Sequence, residues 1–241
     1  MKTEIKYLLD ITNAINTCLQ DEDIFDINNM YPTIKTLFRF RGIKFPSILC
    51  KNEAFKISTF CNYLRHRNIT KVELSVSDNA KYSSNGFYDY FSLFNLSLCN
   101  DKSIRYMTIK SGYRNNDNNV YLTFEETNRT CRICETDCIN KYINKLCDML
   151  PCLEALTEDL GLDGYKTLFN KAYISMTQNN LDLKQLQGIL LDLCVFGNMN
   201  SFNDEPYVKA EETGRLSEYL LLSEELWNLL LKCIASATKR S

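Results

Sequence analysis

The sequence predicts an α+β protein: a small antiparallel sheet flanked by helices, followed by an all-helical C-terminal bundle. Short runs in which apolar and polar residues alternate cluster between residues 71 and 125, the period-two pattern of half-buried strands. Beyond residue 130 the apolar spacing lengthens to three and four and stays so, as amphipathic helices require. With 45% hydrophobic residues, eight glycines and four prolines in 241 residues, the chain can bury a sizeable core. It has too little glycine and proline for collagen-like, propeller or long disordered architecture. The expected division is an α+β part over 1–128, containing a basic segment at 31–72, and an acidic helical bundle over 131–241.

Each element follows from a local pattern. Ile5, Leu8, Ile11, Ile15, Cys18 and Leu19 fall three or four apart, predicting a helix over 3–19 that the acidic stretch 20–23 ends. From Tyr31 to Arg67 the signal is mixed. Pro32 and Pro46 punctuate it, Phe38 and Phe40 alternate with Arg39 and Arg41, and Phe55 to Leu64 reads as a short helix. Strands are predicted where Val72, Leu74 and Val76 alternate with polar residues, over Ile104 to Ile109, and where Val120, Leu122 and Phe124 alternate. Asn85-Gly86 marks a turn, and the asparagine-rich run at 115–119 joins two strands as an antiparallel hairpin.

Three apolar stripes follow, led by Ile139, Tyr165 and Leu183. Asp182 with Gln185 three residues on has the form of a capping box and places the start of the third helix. A loop from Gly197 to Pro206 precedes a last helical pattern from Leu216 to Ile234. Ser223, followed by Glu224 and Glu225, reads there as an N-cap that splits this pattern in two.

Charge is segregated although the formal net charge is only −2. Between residues 31 and 72 stand Lys35, Arg39, Arg41, Lys44, Lys51, Lys56, Arg65, Arg67 and Lys71 against the single acid Glu53, while both flanks are acidic. Such a segment either folds against the protein's own acids or meets an outside anion. The expected binding residues are Arg39, Arg41, Lys44, Arg65, Arg67 and Lys71. Interleaved Phe38, Phe40, Phe45, Phe55, Phe60 and Tyr63 give the arginine-plus-aromatic composition of single-strand nucleic-acid surfaces, which equally suits an anionic membrane.

Catalytic signatures do not occur: the chain has no P-loop, dinucleotide fingerprint, HExxH or GxSxG string. The single histidine, His66, could form a dyad with Cys61, but packing or solvent exposure is the default for both. Adjacent carboxylates such as Glu125-Glu126 and Glu224-Glu225 read as solvated acids, since neighbours in sequence do not converge by spacing alone. Eleven cysteines, an odd number without framework spacing, read as free thiols. Cys131, Cys134 and Cys138 open with the C-x-x-C spacing of zinc sites but lack a second pair, and at i, i+3 and i+7 they share one helix face, so packing accounts for them equally. The expectation is no enzyme, no cofactor, no metal and no small-molecule substrate. Asp10 interrupts the N-terminal apolar pattern and no run of about 18 apolar residues occurs, so a cytoplasmic location is expected.

Tyr63-Leu64-Arg65-His66-Arg67-Asn68 is similar to the first-helix segment of poxvirus intracellular immune modulators with a Bcl-2-like domain. The stretch from Leu186 to Cys194 resembles that family's buried central helix. The resemblance implies a non-enzymatic decoy in the host cytoplasm that binds host signalling or cell-death proteins through a helical groove. The plan of a basic N-terminal part beside an acidic helical part also resembles gasdermins, whose helical half restrains a lipid-binding half. A host protein is therefore the expected partner, with anionic lipid and single-stranded nucleic acid as the alternatives.

Overall fold

A computed structural model of the protein describes residues 2–21, 30–40, 53–54, 56–83, 89–113, 119–132, 139–177, 181–197 and 201–238. The chain forms two compact units. One gathers residues 4–80 and 89–136, the other residues 1–3, 81–88 and 137–240.

The first unit holds α1 (Lys2–Asp21), β1 (Ile34–Arg39), β2 (Glu53–Ala54), α2 (Ile57–His66), β3 (Lys71–Val76), β4 (Phe94–Cys99), β5 (Ser103–Tyr113) and β6 (Val120–Arg132). The strands form one sheet in the order β2-β1-β6-β5-β4-β3. β3 to β6 pair antiparallel, and Tyr113 faces Val120 across the expected β5–β6 hairpin. The sheet is nevertheless mixed: β1 runs parallel to β6, with Ile34 opposite Val120 and Arg39 opposite Glu125. Some eighty residues separate these strands in sequence. No tight turn therefore fixes their relative direction, and a long crossover permits the parallel pairing.

Because side chains alternate across a strand, register gathers one face into a core. Phe38, Phe124 and Ile109 occupy one row and Leu74, Leu96 and Met107 another, all buried. The amphipathic helix α2 contributes Ile57, Phe60, Cys61, Tyr63 and Leu64 to the buried side. Phe60 stacks on Phe38 with centroids 4.0 Å apart, and Tyr63 on Phe40 at 3.7 Å. Phe38, Phe40, Phe60 and Tyr63 are thus core residues, closed to the base stacking that a nucleic-acid surface would ask of them. Phe45 and Phe55 lie outside the described residues.

Two local departures shape this unit. α2 ends where Asn68 takes a left-handed φ of 55° and Ile69 N–H returns to the Leu64 carbonyl at 3.0 Å, a helix-ending turn that asparagine tolerates better than most side chains. The Bcl-2-like resemblance implies helix continuing past this point, whereas the chain turns directly into β3. On β6 the register slips, since Arg105 faces Thr130 while Met107 faces Glu126. Residues 127–129 therefore all oppose Tyr106, and the extra turn of chain is pinned by Thr127 Oγ1 donating to the Tyr106 carbonyl at 3.1 Å.

The second unit holds α3 (Ile139–Asp159), α4 (Asp163–Thr177), α5 (Leu183–Asp192), α6 (Glu205–Glu212) and α7 (Leu216–Ala237). Gly161, at a φ of 65°, closes α3, with Leu162 N–H returning to the Thr157 carbonyl at 2.8 Å. The expected capping box opens α5: Gln185 N–H donates to Asp182 Oδ1 at 2.7 Å and Asp182 N–H to Gln185 Oε1 at 3.1 Å. Trp227 is fully buried, 5.4 Å from Phe196 and 6.5 Å from Tyr82 between ring centroids.

Three expectations for this region need correction. α7 is unbroken through Ser223, which is itself buried; Tyr219, Leu226 and Leu230 extend one buried stripe past it, and a break would open that stripe to water. The loop expected from Gly197 to Pro206 ends earlier, because α6 already starts at Glu205, with Pro206 in its first turn, where the ring fits because that N–H has no helical acceptor. β6 runs on to Arg132, so Cys131 lies on a strand and not on the helix face supposed for the cysteine run.

Candidate functional site

The end of α2, the start of β3 and the β4–β5 turn together border a groove of about 680 Å³. Leu19 of α1 and Ile69 give it an apolar portion, Arg65, Arg67 and Lys102 bring three cations, and Asp101 brings one carboxylate. Asn68, Thr70 and Asn100 complete the lining with neutral polar groups.

The two arginines are held in place from below. Arg65 Nη1 donates to Asn62 Oδ1 at 3.0 Å, and Nη2 donates to the Cys18 carbonyl of α1. Arg67 lies over the Tyr63 ring, 4.8 Å from its centroid, and Nη1 donates to Glu126 Oε1 at 2.6 Å. Glu126 is only 3% exposed. Its other oxygen accepts from Tyr63 Oη at 3.1 Å, and Arg105 Nη1 approaches Oε1 at 3.5 Å. A buried carboxylate is tolerable only with partners of this kind. Burial, and then the charge of Glu126, push the Tyr63 hydroxyl well above its ordinary value, so it stays a donor.

The opposite wall is equally constrained. Asn100 Oδ1 accepts from Lys102 N–H at 2.9 Å, Ser103 N–H at 2.8 Å and Ser103 Oγ at 3.2 Å, an Asx-type turn that fixes the three residues between β4 and β5. Lys102 and Asp101 stand exposed at its tip.

Of the basic residues expected to bind, this arrangement brings together Arg65 and Arg67. Lys71 follows at the first position of β3, with Nζ 3.3 Å from Glu73 Oε1. Arg39 is exposed near the end of β1, in register with Glu125. Arg41 and Lys44 lie outside the described residues. The carboxylates meeting Arg67 and Lys71 stand on β6 and β3, C-terminal to the basic segment, so at these two positions the segment folds against the protein's own acids.

Two groups of the site stand apart from the basic segment in sequence. Lys102 lies thirty residues beyond the basic segment, and only the β4–β5 hairpin delivers it. Glu126, expected with Glu125 to be a solvated acid, is buried because β6 sends the two to opposite faces, as period-two alternation with Leu122 and Phe124 indicates.

The suggested Cys61–His66 dyad is not assembled. The residues are five apart, about 140° around a helix, so Cys61 is fully buried beside the Ile15 carbonyl while His66 is exposed. Burial and then the neighbouring Cys18 thiol push Cys61 up, the reverse of activation. Cys134 and Cys138 lie outside the described residues, and among the described residues no three His, Cys, Asp or Glu side chains are grouped to hold a metal ion. Likewise, no helix among them is long and apolar enough to cross a membrane.

With the fold and this geometry in hand, comparison with protein-family models, curated proteins and solved structures yields no match.

Proposed function

We propose that the protein is a non-enzymatic protein-interaction module whose partner surface is the groove at the end of α2. The observation that carries this reading is the concavity itself, in which guanidinium groups from one helix end and an ammonium from a separate hairpin face a common space on rigid supports. Preorganised cations cost little further ordering when an anionic partner arrives. The side chains best suited to chemistry point elsewhere, since Cys61 is enclosed and Glu126 is saturated with donors. The similarity of Tyr63 to Asn68 with poxvirus immune modulators supports a host signalling or cell-death protein as the partner.

A photo-cross-linking residue placed at exposed Thr70 tests this in living cells, with the same residue at exposed Lys171 on α4 as the reference. Discrete protein adducts from position 70 and none from 171 are expected. Equal or absent labelling at position 70 rejects the groove as the partner surface.

A further inference from the structure

We infer that the groove takes an acidic peptide segment, one that presents two carboxylates to Arg65, Arg67 and Lys102 and a neutral or basic side chain to Asp101. This rests on the reading of the groove as a partner surface and adds the chemistry of what enters it.

Charge selects an anion but limits its kind. Three cations and the Asp101 carboxylate line the groove, and Glu126 already pairs with Arg67 from behind, so Arg65 and Lys102 carry a modest excess in a protein whose sequence pI is about 5.6. Sequence-independent nucleic-acid binding draws its affinity from many cation–phosphate contacts along the backbone; this wall supplies few, and Asp101 at the rim would repel a regular phosphodiester chain. A peptide varies its charge residue by residue and can set a lysine or serine against Asp101. Membrane surfaces present a plane, whereas the cations here converge into a concavity.

The donors fit carboxylates. An arginine carries five N–H groups; Arg65 spends one each from Nη1 and Nη2 on Asn62 and Cys18, leaving others for an incoming oxygen. Lys102 projects from a turn whose backbone is fixed by Asn100, so its ammonium can close over a second carboxylate. Thr70 and Asn68, exposed between them, offer hydrogen bonds to peptide backbone, and Leu19 with Ile69 can receive one apolar side chain between the two acids.

The test is a display library of random nonapeptides, panned on the full-length protein and on three full-length variants: Lys102→Glu, Thr70→Glu and Asp101→Asn. All three positions are exposed, and matching circular dichroism melts establish that the fold is kept. Binders from the wild type are expected to be enriched in aspartate and glutamate, to weaken about tenfold or more on Lys102→Glu and Thr70→Glu, and to tighten on Asp101→Asn. Amide versions of the same peptides should lose binding. Binders without acidic enrichment, acidic binders indifferent to the variants, preferential capture of oligothymidine or of phosphatidylserine vesicles, or no binders at all would each overturn the inference. Cross-links from position 70 would still stand in those cases, which separates failure of this chemistry from failure of the groove as a partner surface.

Discussion

Asn16 offers the sharpest test of how α1 is tied to the sheet. Its carboxamide sits 4% exposed against the outer edge of β3, where Nδ2 donates to the Val72 carbonyl at 2.9 Å and Oδ1 accepts Val72 N–H at 2.8 Å. One side chain thus supplies both bonds that a neighbouring strand would have made at Val72, on an edge that must otherwise be covered or charged. Asn16→Ala removes both and strands a buried N–H and C=O, each costing about 1–3 kcal/mol unless water reaches it. Allowing for partial hydration, a loss of about 3 kcal/mol is expected, or about 10 °C in the melting of this unit. Asn16→Asp separates the two bonds: a carboxylate still accepts Val72 N–H but faces the carbonyl oxygen, whereas its protonated form can donate there. The folded state therefore raises that carboxyl group's pKa, and the variant's deficit should shrink as pH falls through the raised value. Urea melts of the wild type and both variants at pH 7 and pH 4.5 decide. A deficit under about 1 kcal/mol for Asn16→Ala, or a pH-independent deficit for Asn16→Asp, would refute the edge-cap reasoning.

Other consequences are simpler to state. Glu126→Ala leaves Arg67, whose side chain is 18% exposed, without its carboxylate and should cost about 3–5 kcal/mol in chemical denaturation, with Glu126→Gln costing clearly less because the Tyr63 bond has an acceptor. Pro151 is exposed inside α3 and cannot donate to the preceding turn, so Pro151→Ala should stabilise the helical unit by about 1–3 kcal/mol in a thermal melt, and a lowered melting temperature would contradict the helix described there. Burial pushes the Cys194 and Cys233 thiols up to about 12 from an ordinary 9.0. Unfolded thiols then ionise first, so stability present below pH 9 should fall between pH 9 and 12 by up to about 1.4 kcal/mol per unit for each thiol. At pH 8, Ellman's reagent should meanwhile react readily with exposed Cys152 and with these two only on unfolding.

What could be read from sequence divides along physical lines. α1, β3, β6, α5 and the capping box at Asp182 follow from periodicity and a local hydrogen-bond motif, both of which act within a few residues. β4 carries the same local signal, since Phe94, Leu96 and Leu98 alternate with Asn95 and Ser97, although no strand is predicted there from sequence. The parallel placement of β1 depends on contacts across some eighty residues and leaves no local trace. The groove was half legible: the Arg65–Arg67 run stands out as charge, but Lys102 and Asp101 reach it only through the β4–β5 turn, and Glu126 only through the sheet register. Ser223 shows the converse. A residue with the chemistry of a cap lies mid-helix because the buried stripe around it outweighs its local preference.

Hydrogen–deuterium exchange on the protein alone and with a partner recovered by cross-linking asks most directly whether the end of α2 is where this molecule works. Slower exchange over residues 65–70 and 100–103 in the complex, with α4 and α6 unchanged, is the outcome the groove requires. Protection confined to the helical unit, with those two segments exchanging as before, would contradict it.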